Sequence, residues 1–504
     1  MKPTLCKLLL TVLVAMGIAG PATAARVTIA QSLDPQSLWP NATTSADTYN
    51  AGTPIVESLF WLDASDNQIK PLLALSYTQD SPNQITIKLR PNVKFTNGEP
   101  MNADAVIFSY NVVTDPKQTP AYTRYFEGFS KITKIDNLTV QVDTSYPIPP
   151  MGLTLSLFFV VPPKYWTEVG GAVAFGRKPI GTGPFTFHSW VRDAQVVLKR
   201  NDAYWGKLPE NIDELVFKSV PDFGARVAGA ITGEVDIAKQ VPISSVADLR
   251  KRVNLKVLEV NAFTVVHLIL SSLEQHKSPL QDKRVRHAIN FAIDKQGIID
   301  GLFLGNARRL NGQLLRPTQP GYDPNIVDYP YDPKKAKQLL TEAGYPNGFQ
   351  VPFKVPVGSI QQGQEVAEAV AGMLGAIGIT AKIQLLEAGE YLRQLRAREL
   401  GPMAISGNQP PDDSHFMMSQ YHSTWRYSYI NDAELDKLID EGKVEMDPKK
   451  RDAIYRKISA LIYEQAPVGF INGGVDHYAV NAKLKNFHPR GDGRYFFYNV
   501  SLDK

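Results

Sequence analysis

A single cysteine in 504 residues, Cys6, constrains this chain more than any other feature. It lies in an opening stretch with the layout of an export leader. Lys2 and Lys7 supply a positive start, residues 8–18 an apolar run, and Ala22-Thr23-Ala24 a small-residue cleavage site. The pattern predicts cleavage after Ala24, which leaves 480 of the 504 residues with no thiol. Cys6 precedes the apolar run, so it cannot become the acylated first residue of a lipoprotein. Disulfides, thiolate metal sites and cysteine nucleophiles are excluded together, and apolar burial alone has to hold the fold. The leader's apolar run falls short of the ~18–20 residues that a spanning helix needs, and the uncharged stretch 151–163 is short and bounded by proline. A soluble, exported, periplasmic monomer is the expectation.

Burial on that scale needs an ordinary globular composition, and the chain has one: 43% hydrophobic and 21% charged residues. The length exceeds one domain of ~100–200 residues, so two or three folding units are expected. Fifty-four basic against fifty acidic residues give +4, with no long basic run. That balance points away from nucleic acid and from direct membrane insertion, and towards a small-molecule or protein partner.

The periodicity is mixed. Ile85, Ile87 and Leu89 alternate, as do Leu138, Val140 and Val142, the pattern of half-buried strands. Asp332-Pro333 and Asp447-Pro448 each place an acceptor before a proline at a helix start, and Gly344 closes the first of these helices. Ile454, Ile458, Leu461 and Ile462 form one apolar stripe in the second. Strands and helices interleave along the whole length, so the class is α/β or α+β, without repeats or long linkers.

Chemistry-bearing motifs are mostly missing. The sequence has no Gly-x-Ser-x-Gly elbow, no His-Glu-x-x-His and no Walker loop, and Gly181-Thr182-Gly183-Pro184 lacks the third glycine of a dinucleotide fingerprint. It reads as a structural turn, and no cofactor is expected. Asp412, Asp413, His415 and His422 bring metal-competent groups within eleven residues, but in a polar, proline-rich loop solvated side chains are the simpler reading, so no metal is assigned.

The order of segments says more than any one motif. Residues 87–111 (IKLRPNVKFTNGEPMNADAVIFSYN), 179–185 (PIGTGPF), 198–206 (LKRNDAYWG), 232–237 (TGEVDI), 282–298 (DKRVRHAINFAIDKQGI), 331–349 (YDPKKAKQLLTEAGYPNGF) and 451–467 (RDAIYRKISALIYEQAP) occur in sequence. Together they resemble the extracytoplasmic solute-binding proteins that serve peptide, nickel and opine ABC importers, over nearly all of the mature chain. The resemblance implies a two-lobed, type II-like periplasmic-binding-protein fold with an extra subdomain in lobe one. The division it implies is a leader at 1–24, lobe one at 25–60, 175–262 and 469–504, the subdomain at 61–174, and lobe two at 263–468. The chain is expected to cross outward near 257–266 and to return near 467–473, where Gly473-Gly474 eases the bend. The function implied is capture of a solute between closing lobes and delivery to an inner-membrane ABC permease, with no catalysis. An exported hydrolase with an unrecognised carboxylate pair is the competing class.

The resemblance also bears on the ligand. Dipeptide-binding members hold the peptide's amino terminus with an acid before an Asp-Pro pair and its carboxylate with an arginine before a lobe-two helix. The comparable stretches here, 405–416 (ISGNQPPDDSHF) and 355–358 (VPVG), carry neutral Asn408 and Gln409 and no arginine. Burying either peptide terminus unpartnered is costly, so free dipeptides are expected to bind poorly, and an opine, sugar conjugate or longer peptide to bind instead. Nickel-binding relatives carry a histidine where Ser414 stands, with His415 one place later. The candidate ligand residues are Tyr49, Arg124, Tyr125, Asn408, Gln409, Asp412, His415, Trp425 and Arg426. Among them Trp425 or Tyr125 is expected to stack on the solute, and Arg124 or Arg426 to meet an anionic group.

Overall fold

Two strands, Leu255–Leu270 and Val468–Asn481, are long enough to belong to both halves of the molecule. A computed structural model describes residues 25–118, 120–408 and 412–503, so the leader lies outside the described residues. The two strands pair antiparallel from Leu255↔Asn481 to Ile269↔Val468. Beyond one side of the pair lie Met403–Asn408, Phe349–Pro356 and Ile379–Leu386; beyond the other lie Ile237–Ala238, Arg26–Gln31, Glu214–Ser219, Gln195–Arg200 and Phe185–Val191. The result is a two-lobed α/β fold with one sheet running through the crossing. The pairing register shifts between Asn261 and Val265 and again between Val266 and His267. Such irregularities bend a strand pair and raise its twist.

Gly473, opposite Val265 in this register, serves the crossing through space. A Cβ there would lie 2.4 Å from Arg308 Nη2, and neither Gly473 nor Gly474 has a positive φ. A similar close approach explains residues 181–184. A Cβ on Gly183 would come within 2.2 Å of the Pro54 carbonyl oxygen, and the Gly183 amide donates to the Ile55 carbonyl at 3.0 Å.

The subdomain is a four-stranded sheet of Ala74–Ser81, Gln84–Leu89, Thr139–Thr144 and Phe129–Asp136 in that spatial order. Ile85, Ile87, Leu89, Val140 and Val142 point into its core beside helix Ala103–Thr114, while Leu138 precedes its strand and is half-buried. Both helix starts read from the sequence are present. Asp332 accepts from the Lys335 amide at 2.9 Å, and Asp447 from the Lys449 amide at 2.8 Å. The helix Pro448–Gln465 buries Ile458 and Ile462, with Ile454 and Leu461 packed at the margin. Among the described residues no helix is long and apolar enough to cross a membrane. We propose the lobe division at 60, 174, 262 and 468. The cuts at 262 and 468 bracket the crossing, falling within the outgoing strand and at the first residue of the returning one.

Candidate ligand-binding site

A cavity of about 590 Å³ lies between the subdomain and the segment proposed as lobe two. The subdomain contributes the turn Thr123–Tyr125 and residues 146–154. Across from it stand His267 and Ile269 of the outgoing strand, Ser406 and Gly407, His415 and Phe416 of the short helix Ser414–Met418, and most of residues 419–430, Arg426 excepted. Along a strand side chains alternate in direction, so His267 and Ile269 share a face. That alternation turns a histidine in an otherwise apolar run towards the cavity. Burial pushes His267 down to about 4, so its imidazole is neutral at pH 7.

Four of the nine candidate ligand residues line this cavity together, Arg124, Tyr125, His415 and Trp425, and so does His422 of the metal-competent group. Arg124 lies over the Tyr125 ring at 4.8 Å and donates to its hydroxyl at 2.6 Å. The Tyr125 ring meets Phe416 edge-on at 5.2 Å, so the subdomain touches the opposite wall. A second contact crosses the same gap, with Lys443 Nζ 4.0 Å from the centre of the Tyr146 ring. His415 is held neutral, burial pushing it down to about 4. His415 Nδ1, Tyr421 Oη and Trp425 Nε1 are buried in the wall with no hydrogen-bond partner among the described residues. Leaving such groups unpaired costs roughly 1–3 kcal/mol each, so the wall favours a solute that supplies partners. Tyr391, by contrast, already donates to the Ile405 carbonyl at 2.6 Å and offers the cavity its ring.

The other candidates lie elsewhere. Tyr49 is 1% exposed in the core packed on strand Arg26–Gln31, edge-on to Phe159 at 5.5 Å and under the Arg494 guanidinium at 4.4 Å. Packing on both sides of its ring keeps it from any ligand. Asp412 is ion-paired with Arg316 outside the cavity wall. Arg426 is exposed and lies over Tyr427 at 5.0 Å rather than in the wall. Asn408 pairs through its backbone with Val265, and Gln409 lies outside the described residues. The acidic and histidine group of this loop is dispersed as well. Asp413 takes both ends of the Arg451 guanidinium at 2.9 and 2.8 Å, and His422 Nδ1 faces the Thr424 hydroxyl at 2.8 Å. No group of three or more metal-competent side chains forms among the described residues.

The stretch 355–358 places Val355 in the core and Pro356 in the cavity wall, with no cation. Carboxylates that the sequence reading did not single out, Glu127 and Asp440, reach the cavity from exposed positions. His267, Tyr146, Phe416 and Lys443 were missed too. His267 carried a legible signal, a lone imidazole in the apolar run VVHLIL. Tyr146 and Lys443 are almost three hundred residues apart and carried none.

An aromatic cavity between the four-stranded subdomain and the far half of the long sheet, bridged by ring and cation contacts, is the arrangement of a two-lobed solute-binding protein. The chain belongs to the bacterial extracellular solute-binding proteins, family 5, whose middle-region model matches residues 68–428. It is similar to the dipeptide-binding protein of Escherichia coli (strain K12), at 28% identity covering 97% of both chains. It is also similar to heme-binding protein A of Haemophilus influenzae, at 28% identity covering 90% of this chain and 88% of that one. Among solved structures it resembles HbpA2 from Haemophilus parasuis, with a TM-score of 0.83 at 25% identity over 95% of this chain and all of that one. Membership makes the chain an extracytoplasmic, non-enzymatic solute-binding protein of an ABC importer.

Proposed function

We propose that the chain captures an amphipathic solute of about tripeptide size in the cavity between Tyr125 and Trp425 and delivers it to an inner-membrane permease. The carrying observation is the wall itself. A volume of about 590 Å³ falls within the range of small-molecule sites, and rings from Tyr125, Tyr146, Phe416 and Trp425 line it beside the unpaired polar atoms of His415, Tyr421 and Trp425. Rings supply apolar area and stacking faces, and a few polar atoms fix orientation. This shifts the expectation from a uniformly polar sugar towards a peptide-like or opine-like molecule with a flat or apolar body. The names of the dipeptide-binding and heme-binding relatives support a solute of that kind. Free dipeptides remain poor ligands on this reading, because among the described residues the carboxylates at the cavity, Glu127 and Asp440, are exposed, and residues 355–358 carry no arginine.

His415 favours one second reading. A neutral imidazole with an unpaired Nδ1 is a ready ligand for a metal carried inside a chelate. Calorimetry separates the two. An acetylated, amidated aromatic tripeptide, several free dipeptides, octopine and haemin are titrated into the mature chain and into Trp425→Ala. The reading expects the blocked tripeptide or octopine to bind and Trp425→Ala to weaken it by roughly tenfold or more. Micromolar affinity for several unrelated free dipeptides overturns it. Binding of haemin alone, lost in His415→Ala, supports the chelate instead.

A further inference from the structure

Lobe one holds a second cavity, of about 230 Å³, that shares no residue with the interlobe one. Its walls are aromatic. Trp61, on the strand Phe60–Asp63, meets Phe496 at 5.4 Å and 73° and Tyr498 at 5.2 Å and 66°. Phe496 and Tyr498 lie almost parallel, 5.5 Å apart at 17°. Two ring walls thus meet at a steep angle, and all three rings are half-buried rather than sealed in the core. Asp63 closes another side with a side chain only 6% exposed. Burial opposes its charge, but hydrogen bonds from Lys70 and from Ser65 hold its carboxyl below the usual range, so it is ionised. Lys70 is shared between Asp63 and Asp66 and, though not part of the cavity wall, lies 5.8 Å from the centre of the Trp61 ring, so Trp61 already faces one cation of the chain and Phe496 and Tyr498 are the rings left without one; the three charges sum to one negative charge beside them. Asn486 and Asn499 stand at the rim with His488.

We propose that this cavity is a binding site for a small organic ammonium ion of choline type. Ring faces carry negative potential and attract a diffuse cation, and more so when the cation loses water among them. A quaternary ammonium suits such walls because it gives up little hydration and needs no hydrogen-bond acceptor. The net negative charge of the Asp63, Lys70 and Asp66 group adds a longer-range attraction, and the rim amides can take a hydroxyl on the cation's short arm. An uncharged molecule of the same shape would find the apolar walls but not the field.

Choline and its uncharged isostere 3,3-dimethyl-1-butanol are titrated into the mature protein, followed by ligand-observed saturation-transfer NMR and by calorimetry. The proposal expects saturable choline binding, with the isostere weaker by roughly tenfold or more. Phe496→Leu, which keeps an apolar side chain but removes a ring, should weaken choline by a similar factor while its circular dichroism spectrum stays that of the parent. No saturable choline binding up to ~50 mM, well beyond the affinity expected of a desolvated ring cage, overturns the proposal. So does equal binding of choline and the isostere, and that comparison needs no substitution. Choline binding that Phe496→Leu leaves unchanged places the cation elsewhere and overturns it as well.

Discussion

Glu57 shows how one residue can couple this fold to pH. Its carboxylate is sealed at 0% exposure. It accepts from the Tyr204 hydroxyl at 2.7 Å, the Thr182 hydroxyl at 2.7 Å and Trp205 Nε1 at 2.9 Å. Burial outweighs these bonds and pushes the carboxyl up to about 7 from an ordinary value near 4.5. The folded form therefore holds a proton that the unfolded chain has released between those values, so this group's contribution to stability falls as pH rises from about 4.5 to 7 and is level above, while the neutral His267 and His415 contribute with the opposite sign between about 4 and 6.5. The full span amounts to roughly 3 kcal/mol. We expect the stability of Glu57→Gln relative to the parent to rise from pH 5 through 6 to 7 in urea unfolding, the histidine contribution being common to both. A slope identical to the parent's would assign the dependence to another group. The residue scale is also where the sequence said least. Tyr49 and Trp425 look alike in a string, yet one is core and the other lines a cavity, because packing around each ring is decided by segments far away. Trp205 is half-buried, with its indole N–H on Glu57 and Arg90 lying 4.6 Å over its ring, contacts that its block does not display.

At the scale of elements, local chemistry was legible. The two Asp-Pro starts, the alternating strands of the subdomain and the stripe of the helix Pro448–Gln465 depend on neighbours within a few residues, and a string displays those. Asp447→Ala should cost about 1 kcal/mol in denaturant unfolding, because the Lys449 and Lys450 amides, at 2.8 and 3.1 Å, lose their acceptor. A change within a few tenths of zero would mean that water replaces the cap. Gly473 is different: the sequence marked it as a bend, whereas the structure assigns it to the passage of Arg308 across the returning strand. Gly473→Ala puts a methyl group 2.4 Å from Arg308 Nη2 and 2.7 Å from its Cζ. We expect a loss of roughly 1–3 kcal/mol in unfolding, most of it recovered in the double variant with Arg308→Ala. If the double variant is no more stable than the single one, the clash is not the cause.

At the scale of the molecule, the order of family blocks carried the two-lobed fold, and the two long strands Leu255–Leu270 and Val468–Asn481 pair with each other over the stretches where the crossings were expected. The cavity was only partly visible, because its walls come from segments that meet only after the lobes have formed. Tyr125 with Phe416, and Tyr146 with Lys443, join the two sides across it. A solute that binds only this closed arrangement stabilises it by mass action, so its melting temperature should rise with ligand concentration. Phe416→Ala, which removes one bridge, should weaken binding and lift the radius of gyration in solution scattering towards that of an open form. The most direct test of the central claim is a crystal structure of the protein purified with the solute it carries from its source. The account requires electron density for that solute between Tyr125, Phe416 and Trp425, in contact with His415; density for the solute anywhere else, with this cavity holding only water, would contradict it.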